Sequence, residues 1–148
     1  MSCRFFLMIV LLVLAGCQST PMTVEQHISN HTKSTNGNEY FPARSYAHVD
    51  VDGDGKADTA VIYTLEGIRG GIDWLQFLAV KLSSENGHII WQQIGGKDIR
   101  AVGNIEIVNG KIVASILEYA PSDASCCPSI SKTSTFAIKN GKLLEAGK

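Results

Sequence analysis

The chain has 148 residues, 13 of them Lys or Arg and 14 Asp or Glu, and its formal net charge is −1 at pH 7. A chain of this length forms one domain with a modest hydrophobic core. No run of basic residues occurs in the sequence, so nucleic-acid binding, which needs a dense positive surface, is not expected.

Residues 1–16 have the pattern of an export signal. Arg4 supplies a positive start, residues 5–14 form a continuous apolar run, and Leu-Ala-Gly-Cys follows at 14–17. The apolar run is too short to span a bilayer as a helix, so it predicts a cleaved signal peptide and not a membrane helix. A plain secretory signal with a chance cysteine is the alternative interpretation.

The closing tetrapeptide resembles the bacterial lipobox. The resemblance implies cleavage after Gly16, a diacylglycerol on the thiol of Cys17, and a further acyl chain such as palmitate on the new amine. Multiple acyl chains are sufficient for stable membrane anchoring. Gln18 after the cysteine resembles the outer-membrane sorting signal of enteric-type lipoproteins. For a Gram-negative source this predicts an anchor in the outer membrane of the cell envelope, facing the periplasm.

Residues 17–39 follow the signal and are rich in Ser, Thr, Asn and His. This composition predicts a lipidated, flexible tether with a short helix near residues 24–31. His27 and His31 are four residues apart, so they could share a helical face that binds a transition metal. We favour a solvated linker turn for them, because no third ligand lies nearby in the sequence.

The acidic stretch DVDGDGKAD at residues 50–58 is the most informative segment of the chain. Asp50, Asp52, Asp54 and Asp58 occupy positions 1, 3, 5 and 9 of a short loop, and the backbone carbonyl of Lys56 occupies position 7. Alternate carboxylates around a tight turn are the ligands that Ca²⁺ prefers. The spacing therefore predicts a structural calcium site, and an acidic surface turn without an ion is the alternative.

This loop resembles the calcium loops of FG-GAP and related extracellular repeats, and it shares the acidic spacing of dockerins and EF-hands. Val61 stands at position 12, where an EF-hand has a bidentate Glu, and no helical pattern flanks the loop. A loop between two strands, followed directly by the apolar run 59–63, fits better. The resemblance implies a structural role for calcium, but not the propeller fold, because only one such loop occurs.

Beyond residue 40 the pattern is that of strands, and Asn-Gly pairs at 86–87, 109–110 and 140–141 predict tight hairpin turns. The predicted strands are 46–51, 59–65, 74–82, 88–94, 99–108, 111–118, 131–139 and 142–145. In strand 99–108, the odd-numbered positions are predicted to face the core and Arg100, Asn104 and Glu106 the solvent. Residues 40–148 thus form an all-β domain, an antiparallel meander that makes a curled sheet, a partial barrel or a sandwich.

Cys126 and Cys127 are the cysteines that remain for the folded domain, because Cys3 lies in the leader and Cys17 is the lipidation site. Three interpretations are open: a vicinal disulfide, which an oxidising envelope favours, a redox or metal-binding pair of thiols, and an intermolecular bridge. The segment Cys-Cys-Pro-Ser at 126–129 resembles one found late in small bacterial lipoproteins of unassigned function, including a mycobacterial group. That resemblance implies no activity.

The sequence contains no GxSxG nucleophile elbow, no HExxH zinc helix and no local catalytic triad signature, which favours a protein that is not an enzyme. We therefore predict a lipid-anchored envelope protein whose calcium-stabilised β domain acts as a binding or interaction module for an envelope protein or glycan. The alternatives are an envelope thiol redox protein that uses Cys126 and Cys127, and an inhibitor of a wall hydrolase.

Overall fold

The computed structural model of the chain describes residues 21–84 and 87–146. The export signal, Cys17 and Gln18 lie outside these ranges, so the predicted lipid anchor stays a prediction. Among the described residues, no helix combines the length and the apolar character that crossing a membrane requires.

Antiparallel strands form most of the described chain. The strands are Asn38–Glu39 (β1), Ser45–Val49 (β2), Asp58–Glu66 (β3), Trp74–Lys81 (β4), Ile89–Gly96 (β5), Arg100–Val108 (β6), Lys111–Glu118 (β7), Ile130–Lys139 (β8) and Lys142–Ala146 (β9). Each of the eight predicted strands is present, and the two-residue β1 is an additional one. Two short 3-10 turns, Phe41–Ala43 and Ile68–Gly70, lie in the connections.

The strands form one sheet in the order β1-β3-β4-β5-β6-β7-β8-β9, and β2 pairs with β3 beside β1. Neighbours along the chain are mostly neighbours in the sheet, and every pairing is antiparallel. The all-β antiparallel meander is therefore confirmed, and the sheet does not close into a barrel. It curls so that β2 approaches β6, where the N–H of Ile105 donates to Oγ of Ser45 at 3.2 Å.

Asn-Gly turns join β6 to β7 and β8 to β9. Asn109 and Gly110 have φ angles of 51° and 71°, and Asn140 and Gly141 have φ angles of 52° and 68°. Two consecutive positive φ angles are those of a type I′ turn, whose twist matches the flanking strands. These two predicted turns are confirmed, and the third Asn-Gly pair falls partly outside the described residues.

A helix, Val24–Thr35 (α1), precedes the sheet. Thr23 caps its first turn, because the N–H of Gln26 donates to Oγ1 of Thr23 at 3.1 Å and the N–H of Thr23 donates to Oε1 of Gln26 at 2.9 Å. The helix ends at Asn36, whose φ of 51° is left-handed. The short helix predicted near 24–31 is confirmed and is longer than predicted.

The helix corrects the prediction of a flexible tether for the described part of residues 17–39. Val24 and Ile28 are buried against Tyr63 and other apolar side chains of β3 and β4. These two residues are four apart and so share one helical face, which is enough to dock the helix although the rest of the segment is polar.

The core has two parts, one on each face of the sheet around β3. On one face, Ala60 and Ile62 pack with residues of β4 to β9, because the curled sheet covers its own inner surface. On the other face, Val61 and Tyr63 pack against α1. Strand β3 is therefore buried on both sides. Its first residue, Asp58, is also the last residue of the candidate calcium loop.

A bulge in β6 overturns the predicted faces of the first part of that strand. Val102 pairs with Ile116 but the next pair is Ile105 with Ala114, so β6 contains one extra residue between them. Before the bulge, Ile99, which was predicted to face the core, is 51% exposed. After the bulge, Ile105 is buried and Glu106 is exposed, as predicted. The prediction for Arg100 was also wrong, since its side chain is buried. One inserted residue reverses the alternation of a strand, which an uninterrupted period of two cannot anticipate.

Candidate metal centre

The acidic loop connects β2 to β3 at the closed end of their hairpin, directly beyond the pair Val49 and Asp58. Gly53 and Gly55 have φ angles of 82° and 84°. Residues other than glycine rarely adopt these angles, so the two glycines allow the chain to coil back around its own carboxylates.

Asp50 organises the loop through backbone hydrogen bonds. Its Oδ1 accepts from the N–H of Gly53 at 2.7 Å and from the N–H of Asp54 at 3.1 Å. Its Oδ2 accepts from the N–H of Gly55 at 2.8 Å. Three donors hold the carboxylate in one orientation, and one lone pair of Oδ2 remains available to a ligand.

Asp58 fixes the base of the loop. Its side chain is 1% exposed, Oδ2 accepts from the N–H of Val51 at 3.0 Å, and Oδ1 accepts from the N–H of Ser83 at 2.8 Å. The second of these bonds reaches the connection between β4 and β5. Asp58 therefore ties the loop to a second segment of the chain.

Asp52, which is exposed, makes a second hydrogen bond from the loop to the connection between β4 and β5. Its Oδ2 accepts from the hydroxyl of Ser84 at 2.6 Å, and this hydrogen bond is the main cause that holds the pKa of the Asp52 carboxyl below its usual value. Ser83 and Ser84 thus bind two carboxylates of one loop.

The carboxylates of Asp50, Asp52 and Asp58 converge, and one oxygen atom from each lies within 4.8 Å of the others. Three hard, negatively charged oxygen donors around one point fit a Ca²⁺ ion, which would also relieve their mutual repulsion. The Asp54 carboxylate lies outside this group and accepts from the N–H of Lys56 at 2.8 Å. The roles of Asp54 and of the Lys56 carbonyl as ligands stay predictions.

Cys126 and Cys127 form a disulfide bond with each other, as the first of the three interpretations predicted. Both residues are exposed, in the connection between β7 and β8. Asp123 braces this connection by accepting from the N–H of Ala120 at 2.7 Å and from the N–H of Ser129 at 2.9 Å. The first of these bonds is the main cause that lowers the pKa of the Asp123 carboxyl.

A cluster of aromatic and histidine rings packs beneath α1, and the sequence analysis did not predict it. The hydroxyl of Tyr63 lies 2.7 Å from Nδ1 of His31 and 3.4 Å from Nε2 of His27. The ring of His31 lies 4.5 Å from those of Trp91 and Phe77. A cleft of about 650 Å³ opens beside His31, Phe77 and Trp91. The favoured interpretation of a solvated linker turn for His27 and His31 was therefore wrong. Both residues lie on one face of α1, and docking of the helix brings that face against the other rings.

Burial lowers the pKa of His27 and of His31, and the neighbouring His31 lowers that of His27 further. Burial is also the main cause that raises the pKa of Tyr63. Both histidines are therefore predominantly neutral at pH 7 and hydrogen-bond a neutral phenol. No third His, Cys, Asp or Glu of the described residues completes a metal site with them.

No protein-family model, no curated protein and no solved structure matches this chain.

Proposed function

We propose that the protein is a lipid-anchored envelope protein whose calcium-stabilised β domain acts as a binding or interaction module for an envelope protein or glycan. The observation that carries the proposal is the convergence of the Asp50, Asp52 and Asp58 carboxylates at the head of β3. The donor set is all oxygen and carries three negative charges, which suits calcium better than a transition metal.

The role of the ion is structural. Two of the three carboxylates, those of Asp58 and Asp52, already join the β2–β3 loop to Ser83 and Ser84, which follow β4. A bound ion would hold both segments together and leave the surrounding loops to contact a partner.

The anchor is Cys17, which carries a diacylglycerol on its thiol and becomes the first residue on cleavage after Gly16, in the outer membrane facing the periplasm. The support for it is the positive start, short apolar run and small residues that precede the cysteine. Intact-mass analysis of the mature protein tests this part separately: loss of residues 1–16 with an added diacylglycerol supports it, and an unmodified Cys17 contradicts it.

Thermal unfolding tests the calcium site. We expect Ca²⁺ to raise the melting temperature relative to EGTA, by a stabilisation of about 2.7 kcal/mol when free calcium is at a hundredfold excess over its dissociation constant. Asp52→Asn should weaken calcium binding, because it removes one negative charge from the converging group. This variant leaves the buried Asp58 intact, so the fold itself should not be affected. Mg²⁺ should give a smaller shift, since it accepts fewer geometries than calcium.

Asp54→Asn is the matched comparison, because Asp54 is also exposed but lies outside the converging group, so this variant tests its predicted role as a ligand. It should retain more of the calcium effect than Asp52→Asn. Unfolding curves that are identical in Ca²⁺ and EGTA would contradict the proposal.

A second candidate function is an envelope thiol redox protein, and the exposed Cys126–Cys127 disulfide favours it. In this reaction two electrons from a dithiol substrate reduce the bridge, and the substrate leaves as a disulfide. Equilibration in glutathione buffers tests it: we expect a reduction potential near that of envelope catalysts, and Cys127→Ser should abolish turnover. A bridge that these buffers do not reduce would remove this candidate.

A further inference from the structure

Three side chains that can bind a transition metal meet beneath α1. The hydroxyl of Tyr63 lies 2.7 Å from Nδ1 of His31 and 3.4 Å from Nε2 of His27. The sequence offers no third ligand near the two histidines, and for that reason it did not favour a metal site there. Tyr63 is 32 residues from His31, and the docking of α1 on β3 brings this third donor to the pair.

The separations of the donor atoms fit one shared ion. Transition metals bind imidazole nitrogen and oxygen at about 2.0–2.2 Å, so ligands of one ion lie about 2.8–3.5 Å from each other. The two distances from the Tyr63 hydroxyl are close to this range. The ring centroids of His27 and His31 are 6.0 Å apart, and two imidazoles on one ion have centroids about 5–6 Å apart. Small side-chain movements are therefore enough to admit an ion.

The chemistry of the donors selects the metal. Burial keeps both imidazoles neutral at pH 7, because it lowers the pKa of His27 and of His31, and a neutral imidazole is the form that binds a metal. Nitrogen donors suit Cu²⁺ and Zn²⁺, whereas Ca²⁺ prefers oxygen. Among the divalent first-row metals, Cu²⁺ has the highest affinity for such a site.

A path from solvent reaches the three ligands. Tyr63 is 0% exposed, but His27 and His31 are partly exposed. His31 also lines the cleft of about 650 Å³ that it shares with Phe77 and Trp91. An ion can therefore enter beside His31, and the cleft holds water for its remaining coordination positions.

We propose that His27, His31 and Tyr63 bind one Cu²⁺ ion. Binding forms two copper–imidazole bonds and one copper–phenolate bond, and it releases the phenolic proton of Tyr63 to solvent. The phenolate compensates part of the charge that the ion brings into the cluster. The site is separate from the calcium loop, because Tyr63 follows Asp58 along β3 by about 17 Å at the rise of a strand.

Copper titration of the full chain in detergent tests the proposal. The thiols of Cys3 and Cys17 are alkylated first, and excess Ca²⁺ is present, so that neither the thiols nor the acidic loop compete for the metal. We expect calorimetry to show one tightly bound Cu²⁺ per chain, together with a phenolate-to-copper charge-transfer band in the visible spectrum. Tyr63→Phe keeps the buried ring but removes its oxygen. It should abolish the band and raise the dissociation constant about tenfold or more.

His31→Gln should weaken copper binding by a similar factor, and it carries the test if Tyr63→Phe does not fold, which melting curves without metal reveal. The matched controls are Tyr119→Phe and His48→Gln, because Tyr119 lies in the β7–β8 connection and His48 on β2, outside this cluster. Both controls should keep the band and the wild-type affinity. A wild-type chain without the band overturns the proposal. A folded Tyr63→Phe or His31→Gln variant that binds copper as tightly as the wild type also overturns it, because the ion then lies at other groups.

Discussion

At the scale of single residues, Asp58 has a structural role that does not depend on a bound ion. Its two carboxylate oxygens accept the N–H groups of Val51 and Ser83, and the side chain is buried. Asp58→Ala removes both acceptors at once. A donor left without a partner costs about 1–3 kcal/mol, so we expect a loss of about 2–4 kcal/mol in the free energy of unfolding, measured by urea denaturation in EGTA.

Asp54→Ala provides the comparison in the same loop. The Asp54 side chain is exposed and accepts only from the N–H of Lys56 among the hydrogen bonds of the described residues, so its removal should cost at most about 0.5 kcal/mol. Equal losses for the two variants would show that burial of Asp58 contributes nothing to stability.

At the scale of elements, the docking of α1 depends on the protonation of two histidines. The pKa values of His27 and His31 are lowered by burial, and the groups that face them from β3, β4 and β5 are Tyr63, Phe77 and Trp91, none of which carries a negative charge. On the helix itself, the two histidines face each other. Protonation therefore adds positive charge that nothing in the cluster compensates.

The sign of the pH dependence follows from these pKa values. Below the ordinary value of about 6.5, the unfolded chain binds protons that the folded chain does not, so stability is full above that pH and falls as the pH decreases. We expect urea denaturation between about pH 7 and 5 to show this decline, and the double variant His27→Gln/His31→Gln to flatten it.

His48→Gln is the control for this element, because His48 is exposed on β2 and lies away from α1. Its pH dependence should equal that of the wild type. A double variant with an unchanged slope would mean that acid destabilises the protein through other groups.

The elements themselves were largely predictable from the sequence, because their signals are local. The alternation of the strands and the φ preferences of Asn109-Gly110 and Asn140-Gly141 depend on neighbouring residues only. The bulge at residues 103–104 and the docking of α1 depend on distant strands, so the sequence pattern gave no indication of them. The same holds for the candidate site. The spacing of the aspartates identified the loop, but the hydrogen bonds from Ser83 and Ser84 could not be predicted, because these residues belong to another hairpin.

At the scale of the whole molecule, an ion pair joins β6, in the middle of the curled sheet, to its last strand β9. Arg100 at the start of β6 donates to both carboxylate oxygens of Glu145 on β9, at 2.7 and 2.9 Å, and its Nε donates to the carbonyl of Ile94 on β5 at 2.5 Å. Glu145 also accepts from the hydroxyl of Ser134 at 2.5 Å. One buried guanidinium thus connects three strands at the place where β5 and β6 separate.

Removing either partner of such a pair leaves the other charge poorly solvated. Arg100→Met should therefore lower the free energy of unfolding by about 3–5 kcal/mol in urea denaturation. Lys132→Met, which breaks the exposed pair with Glu118, should cost at most about 1 kcal/mol. The double variant Arg100→Met/Glu145→Met should recover part of the loss, because no buried charge then remains unpaired. If the double variant loses the sum of the two single effects, the ion pair does not couple β6 to β9, and the contact of these strands rests on apolar packing against the remainder of the core.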